Sequence, residues 1–286
     1  MSREQAVQEL LGSQTAATQV NPDYKSWIKA SVMMNSEKTE FDWLVDGLLP
    51  KTGLVVFYGA PDSGKSTALR QLCLGFKTNG TNLRAAFIST EDDKDALDVI
   101  LKKQVNAMGF DKVHGDKLYF LFQAGDVLKE LTSLLETSKA SDKSWDIIII
   151  DCFSDIFTLQ ANAANQVRVF LSSFHDLART YETLIIFNHH SKKEAETRVP
   201  HKNNASGVGL VSKARVAIEF RKDPLESNKR HLCVVKGNYL KDEIKENSYC
   251  LNFESGFHFE HLPDDGKPFE SLVLEPEERE NIDENI

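Results

Sequence analysis

Short apolar runs and longer stretches with apolar residues at helical spacing alternate along most of this chain. LVVFYG, ending at Gly59, reads as an apolar strand, and a helix follows from Lys65 to about residue 76. AAFIST reads as the next strand, and DDKDALDVILKKQVNAMG as a helix with one apolar face. KLYFLFQ, DIIIID and TLIIFNHH continue the strands, separated by the helical patterns VLKELTSLLETSK and NQVRVFLSSFHDLARTY. The continuous β-branched run in DIIIID suits a strand buried on both faces in the middle of a parallel sheet. After a polar loop, ARVAIEFRK, RHLCVVKGN and SYCLNFE read as further strands with short connections. Alternating strands and helices predict an α/β fold, a mostly parallel sheet with helices on both faces. The short late connections predict an antiparallel extension at one edge.

The flanks differ. Residues 1–35 are polar: Ser2 to Leu11 has the composition of a short helix, and SQTAATQVNPD reads as a linker. An arm that docks on a neighbour and a disordered segment both fit. Residues 36–262 form the expected folded domain, and 263–286, ending in EPEERENIDENI, an acidic solvated tail. The 286-residue chain carries a formal net charge of -9. Any nucleic-acid site must therefore be a local basic patch or be assembled in an oligomer. Cys73, Cys152, Cys233 and Cys250 lie far apart with no CxxC pattern, which predicts buried free thiols in a reducing cytosol. The N-terminus lacks the basic start and apolar stretch of a signal peptide, and no apolar run approaches the ~20 residues that cross a bilayer. The expectation is a cytoplasmic protein, of a bacterium or a phage-infected cell, with no membrane partner.

GAPDSGKS, Gly59 to Ser66, matches G-x-x-x-x-G-K-[ST] in full, with a strand before it and a helix after it. In such a loop the backbone N–H groups point inward at phosphates, and the helix N-terminus adds positive partial charge. Gly59, Ala60, Pro61, Asp62, Ser63, Gly64, Lys65, Ser66 and Thr67 are the candidate nucleotide-binding residues, with ATP the expected ligand. Lys65 reaches the β- and γ-phosphates and Ser66 is a ligand for Mg2+. Asp62 is unusual, since an acid beside a triphosphate repels it unless the side chain points away, and its backbone must suit a position where glycine is common. Asp151, at the C-terminal end of a buried strand, has the pattern of the second Mg2+-holding carboxylate. It is followed by Cys152, not by the glutamate of AAA+ ATPases. The candidate base is instead Glu91, at the end of the strand after the phosphate-loop helix. Glu91, Asp92 and Asp93 can also serve simply as caps of the next helix.

FDWLVDGLLPKTGLVVFYGAPDSGKST, FISTEDD, DIIIID and IIFNHHSKK together resemble the RecA-superfamily ATPases over roughly residues 40–255. Within that superfamily, WLVDGLLP, HHSKK and VVKGNY are similar to the RepA-type hexameric replicative helicases of plasmids, phages and mobile elements. The resemblance implies a RecA-like core, a homohexameric ring, and roles for particular residues. His190, with His189 as rival, takes the place of the sensor that reports loss of the γ-phosphate. The loop SKKEAETRVPHKNNASGVG, with Lys192, Lys193, Arg198 and Lys202, takes the place of the loop that grips single-stranded DNA; a solvated charged loop is the plainer alternative. Gly207 and Gly209 give that loop freedom to move, and it lacks aromatic residues for stacking, so contacts would go to phosphates. Arg215 and Lys236 are the candidates for charges donated to a neighbour's ATP, with Arg221 a weaker one.

Three functions compete on the sequence. The first is an ATP-driven hexameric motor on single-stranded DNA, a replicative helicase. The second is a filament-forming recombination ATPase, for which residues 1–35 show no polymerisation motif. The third is a nucleotide-gated regulatory module without unwinding activity, which suits the acidic net charge and fits poorly with a complete Lys65, Glu91 and Asp151 set. A replication or loader protein is a candidate partner for the acidic tail.

Overall fold

The expected alternation of strand and helix is present. The computed structural model describes residues 27–75, 83–110, 115–122, 125–157, 164–207, 209–253 and 255–273. The chain divides into two units, 1–41 and 42–286. The described part of the first holds one short helix, α1 (Ala30–Met34), with every residue exposed. The helix expected over Ser2 to Leu11 lies outside the described residues.

The second unit begins with a small hairpin, β1 (Trp43–Val45) and β2 (Leu49–Pro50). There follow β3 (Gly53–Gly59), α2 (Lys65–Leu74), β4 (Ala85–Ser89), α3 (Lys94–Met108), β5 (Leu118–Phe122) and α4 (Val127–Ala140). Then come β6 (Ile147–Asp151), α5 (Phe153–Ile156), α6 (Ala164–Thr180) and β7 (Leu184–His190). The chain continues through α7 (Leu210–Lys213), β8 (Val216–Lys222), β9 (Lys229–Gly237), β10 (Tyr249–Asn252) and β11 (Glu260–Leu262). Nine strands form one sheet in the order β11-β10-β9-β8-β3-β7-β6-β4-β5. From β8 to β5 all neighbours are parallel; β9, β10 and β11 extend the sheet antiparallel at one edge. The fold is α/β as expected, with that antiparallel extension.

Side chains alternate between two cores, one on each face of the sheet. Val55, Phe57, Ile147, Ile149, Ile186, Ile218 and Phe220 face α2, where Leu69 and Cys73 close the layer. Val56, Tyr58, Ile148, Ile150, Ile185 and Phe187 face α4 and α6, against Leu131, Leu135, Leu171 and Phe174. Every residue of β6 is buried, as its apolar run requires, whereas β5 alternates at the sheet edge. All four cysteines are free and buried.

Two features depart from the sequence reading. The hairpin of β1 and β2 and the edge strand β11 are too short to stand out as periodic patterns. The ordered body also runs past the expected tail boundary at 263: Phe269 and Leu272 are buried with Cys233, and Pro268 bridges to Asn247. Two phenylalanine- and leucine-sized side chains covering β9 outweigh the acidic character of their neighbours. The rest of the acidic tail, from residue 274, lies outside the described residues. No described helix is long and apolar enough to cross a membrane.

Candidate active site

The parallel register brings the C-terminal ends of four strands into one row. Gly59 pairs with His190, and Ser89 pairs with Asp151. This edge is where open parallel sheets place their ligands.

At the end of β3 the chain must turn sharply into α2. A Cβ on Gly59 would stand 2.0 Å from the Phe220 carbonyl oxygen, so only glycine fits there. Gly64 has φ 94°, and its Cβ position is 2.9 Å from the Phe259 ring. Asp62 adopts φ 56° and is exposed, so the chain holds an acid in left-handed backbone with its carboxylate outward. Inside the turn, Ser63 Oγ and Lys65 Nζ both donate to the Ala60 carbonyl, at 2.9 and 2.7 Å. Burial lowers the pKa of Lys65, and the Asp151 and Glu91 carboxylates oppose that shift.

Asp151 closes β6 and is buried. Burial raises its pKa, while hydrogen bonds from Ser66 and from the Asn188 amide oppose the rise. The Ser66 hydroxyl and Asp151 carboxylate are thus in contact, a pair of hard oxygen donors that fits Mg2+. A cation there would relieve the burial of the Asp151 charge. Asn188 is a site residue that sequence reasoning missed. Its signal was a polar residue inside the apolar strand TLIIFNHH, two positions before His190 and hence on the same face.

The three acids after β4 divide their roles. Asp93 is the N-cap of α3, accepting from Ala96 N at 2.8 Å. Asp92 pairs with buried Arg70 at 3.7 Å. Glu91 alone turns to the sheet edge, its Oε1 3.5 Å from His190 Nε2, with both side chains accessible. Thr90 fixes this loop: its hydroxyl meets the Asp151 carbonyl and the Asp155 carboxylate and accepts from Cys152 N at 2.9 Å.

Strand alternation separates the two histidines. His190 shares the Asn188 face and meets Glu91. His189 points to the opposite face, where its Nε2 lies 2.9 Å from the Ser206 carbonyl and its ring meets Phe153 edge-on. Burial pushes its pKa down to about 4. The carbonyl partner fixes the Nε2–H tautomer.

The loop that leaves β7 is closed at its base. Ser191 bridges Ala205, Lys192 N donates to Asn204 O at 2.8 Å, and Ser206 N donates to His190 O at 3.0 Å. From below, buried Glu219 accepts from Tyr58 OH (3.1 Å), His201 N (3.1 Å) and Asn204 Nδ2 (3.0 Å). Arg221 pairs with Glu219 and donates to the Ala195 and Arg198 carbonyls at 2.7 and 2.9 Å. Lys192, Lys193, Arg198 and Lys202 are exposed above this support, beside Glu194 and Glu196. Lys192 Nζ also donates to the Asn203 carbonyl at 2.6 Å. The expected freedom of the loop is therefore limited by a buried network, although Gly207 and Gly209 do take positive φ.

The three donated-charge candidates separate. Arg221 is 3% exposed and wholly engaged beneath the loop, which removes it. Lys236 Nζ donates to the carbonyls of Val211, Ser212 and Ala214 at 2.9, 2.9 and 2.7 Å. An ammonium has three donors, so the expected role for Lys236 gives way to a C-terminal cap of α7. Arg215 lies half-buried before β8, its amide donating to Leu54 O and its side chain against Gly53 and the Tyr239 ring. Gly53 and Gly59 are the two ends of β3, about 20 Å apart at strand rise. Arg215 therefore cannot reach the phosphate loop of its own subunit.

The antiparallel extension buttresses the phosphate loop, which no motif announced. Arg230 Nε donates to Ser63 O at 2.9 Å, and Gln71 exchanges two hydrogen bonds with the Phe259 backbone.

A family profile described as an AAA domain matches residues 23–196, more than half of the chain. No curated protein matches the sequence. Among solved structures, the crystal structure of the RadB recombinase is similar, with a TM-score of 0.53 and 13% identity over 73% of this chain and 90% of that one. At that identity the likeness speaks for the fold. With a complete phosphate loop on a RecA-like sheet, the chain belongs to this AAA-domain family and is a P-loop ATPase of the RecA superfamily.

Proposed function

We propose that this ATPase is a ring-forming motor on single-stranded DNA, a replicative helicase of the RepA type. One observation carries the reading. The strand end that presents His190 to Glu91 continues without a break into the loop that exposes Lys192, Lys193, Arg198 and Lys202. A change at the γ-phosphate position has a covalent path to the basic surface.

In this reading Lys65 and the loop N–H groups hold the ATP phosphates. Ser66 and Asp151 would hold Mg2+, which would supply positive charge to offset that of the phosphates. Glu91 orients the attacking water and takes its proton. His190 hydrogen-bonds the γ-phosphate and loses that partner on cleavage. Arg215, out of reach of its own site, would serve a neighbour's in this reading. Such a trans arrangement would require an oligomer, in which six acidic subunits would still line a channel with basic loops. A cytoplasmic location and a partner for the acidic tail belong to the same proposal.

A second reading, a recombination ATPase that forms filaments, is favoured by the structural likeness to the RadB recombinase. ATP hydrolysis by the purified protein, with and without single-stranded DNA at low and moderate salt, tests both. Stimulation that fades with salt supports a DNA-dependent ATPase, and rings or filaments in micrographs then divide the two readings. Hydrolysis indifferent to DNA rejects both and leaves a nucleotide-gated regulatory ATPase.

A further inference from the structure

Glu91, Cys152 and His190 come from the ends of three neighbouring strands, β4, β6 and β7. One ligand atom from each lies within 4.8 Å of the other two. His190 Nε2 and Glu91 Oε1 are 3.5 Å apart. Two ligands at about 2.0–2.1 Å from one tetrahedral ion stand about 3.3 Å apart, so this pair already has nearly that spacing. Cys152 forms the buried floor, 1% exposed, and the accessible Glu91 and His190 form the mouth. Ser154 Oγ lies 2.7 Å from Cys152 Sγ, in place to donate to a thiolate. His190 Nδ1 is buried with no hydrogen-bond partner, which leaves Nε2 as the outward, metal-facing nitrogen.

A sulfur, nitrogen and oxygen donor set selects zinc-class ions over Mg2+. The hard-oxygen pair of Ser66 and Asp151 stands beside it and shares none of its ligands. We propose that Glu91, Cys152 and His190 form a second cation site, which takes a zinc-class ion and halts ATP hydrolysis while nucleotide stays bound. Binding releases the Cys152 thiol proton to solvent and uses the Glu91 carboxylate and the His190 lone pair, with water in the fourth position. The inhibitory half rests on the reading of Glu91 as the base; the binding half does not.

The test is titration of the full chain with Co2+ at saturating Mg2+ and ATP analogue, followed by Zn2+ displacement and a turnover assay against Zn2+. The expected result is a thiolate-to-cobalt charge-transfer band that zinc bleaches. Turnover then falls by about 10²-fold at zinc saturation, the size of losing a general base, with nucleotide still bound at saturating concentration although zinc takes the His190 Nε2 that otherwise meets the γ-phosphate. Cys152→Ser should keep basal turnover and lose both the band and the zinc inhibition. No thiolate band, or one that survives Cys152→Ser, overturns the site. A Cys152-dependent band with undiminished turnover overturns the inhibition, and Glu91→Gln turnover measured alongside tells whether Glu91 as base falls with it. Should Cys152→Ser not fold, His190→Asn read on the cobalt band serves instead, and an unchanged band overturns the site.

Discussion

Glu219→Gln tests whether the buried network holds the basic loop. Glu219 is 1% exposed and its carboxylate serves Tyr58, His201, Asn204 and Arg221 at once. The amide keeps the shape but removes the charge that balances Arg221, itself 3% exposed. Breaking one partner of a buried pair costs about 3–5 kcal/mol, because the other charge stays buried and unpaired. At about 2–4 °C per kcal/mol for a domain of this size, the melting temperature should fall by roughly 6–20 °C. The loss has a second signature. Arg221 also ties down the Ala195 and Arg198 carbonyls, so the double variant Glu219→Gln/Arg221→Met should recover much of the stability and little of the loop's order. Denaturant melts give the stability, and hydrogen exchange at Lys192, Asn204 and Ser206 amides gives the order. A Glu219→Gln cost below about 1 kcal/mol would refute the reasoning, since a surface pair gives that much. So would a double variant no more stable than the single.

Other outcomes follow from the site. Lys65→Ala should weaken ATP binding by more than about tenfold, the worth of one charge-assisted contact, whereas Glu91→Gln should bind ATP and lose about 10²–10⁴-fold in turnover; equal loss of binding in both removes Glu91 from its role. Arg215→Ala should abolish most turnover and regain part of it when mixed with Glu91→Gln subunits, because some interfaces then pair an intact base with an intact arginine. No recovery at any ratio would remove Arg215 from the neighbour's site. Asn188→Leu should leave the fold intact and weaken Mg2+ binding, read as a higher Mg2+ concentration needed for half-maximal turnover, because Asp151 loses its amide partner. His189 has its pKa lowered to about 4 by burial, below the unfolded value of about 6.5. Its neutral form therefore contributes stability in full above pH ~6.5, and that contribution is lost as the pH falls from there toward 4. Between pH 7 and 5 this amounts to about 2 kcal/mol. His189→Gln should show a shallower fall in urea midpoint over that range, and an unchanged slope would count against the assignment.

The fold was legible where burial on both faces made strands uniformly apolar, as in DIIIID and TLIIFNHH. It was illegible in the two-residue β2 and three-residue β11, whose lengths carry no period. At the site, the phosphate loop was legible because its glycines answer to hard contacts, such as the 2.0 Å approach at Gly59. The sequence singles out Glu91 as the candidate base by its place at the strand end but leaves capping open for Glu91, Asp92 and Asp93 alike; only the turn of the chain sends Asp93 to a cap, Asp92 to Arg70 and Glu91 to the sheet edge. Lys236 misled for a related reason. A lysine at a strand end looks free until the three carbonyls it caps are in view.

The period of two along β3, β7 and β8 accounts for what remains. Asn188 and His190 face the phosphate loop, while His189 between them faces the other way, with Tyr58, Glu219 and Arg221. Chemistry and loop support thus occupy opposite faces of the same three strands. A residue one step out of register on any of them would move from one job to the other. That is why the two histidines, rivals for one role in the sequence, have different partners: His190 meets Glu91, and His189 meets the far end of the basic loop at Ser206. The strand end cannot shift at one histidine without shifting at the other, which places the nucleotide face and the basic surface within one residue of each other along the chain.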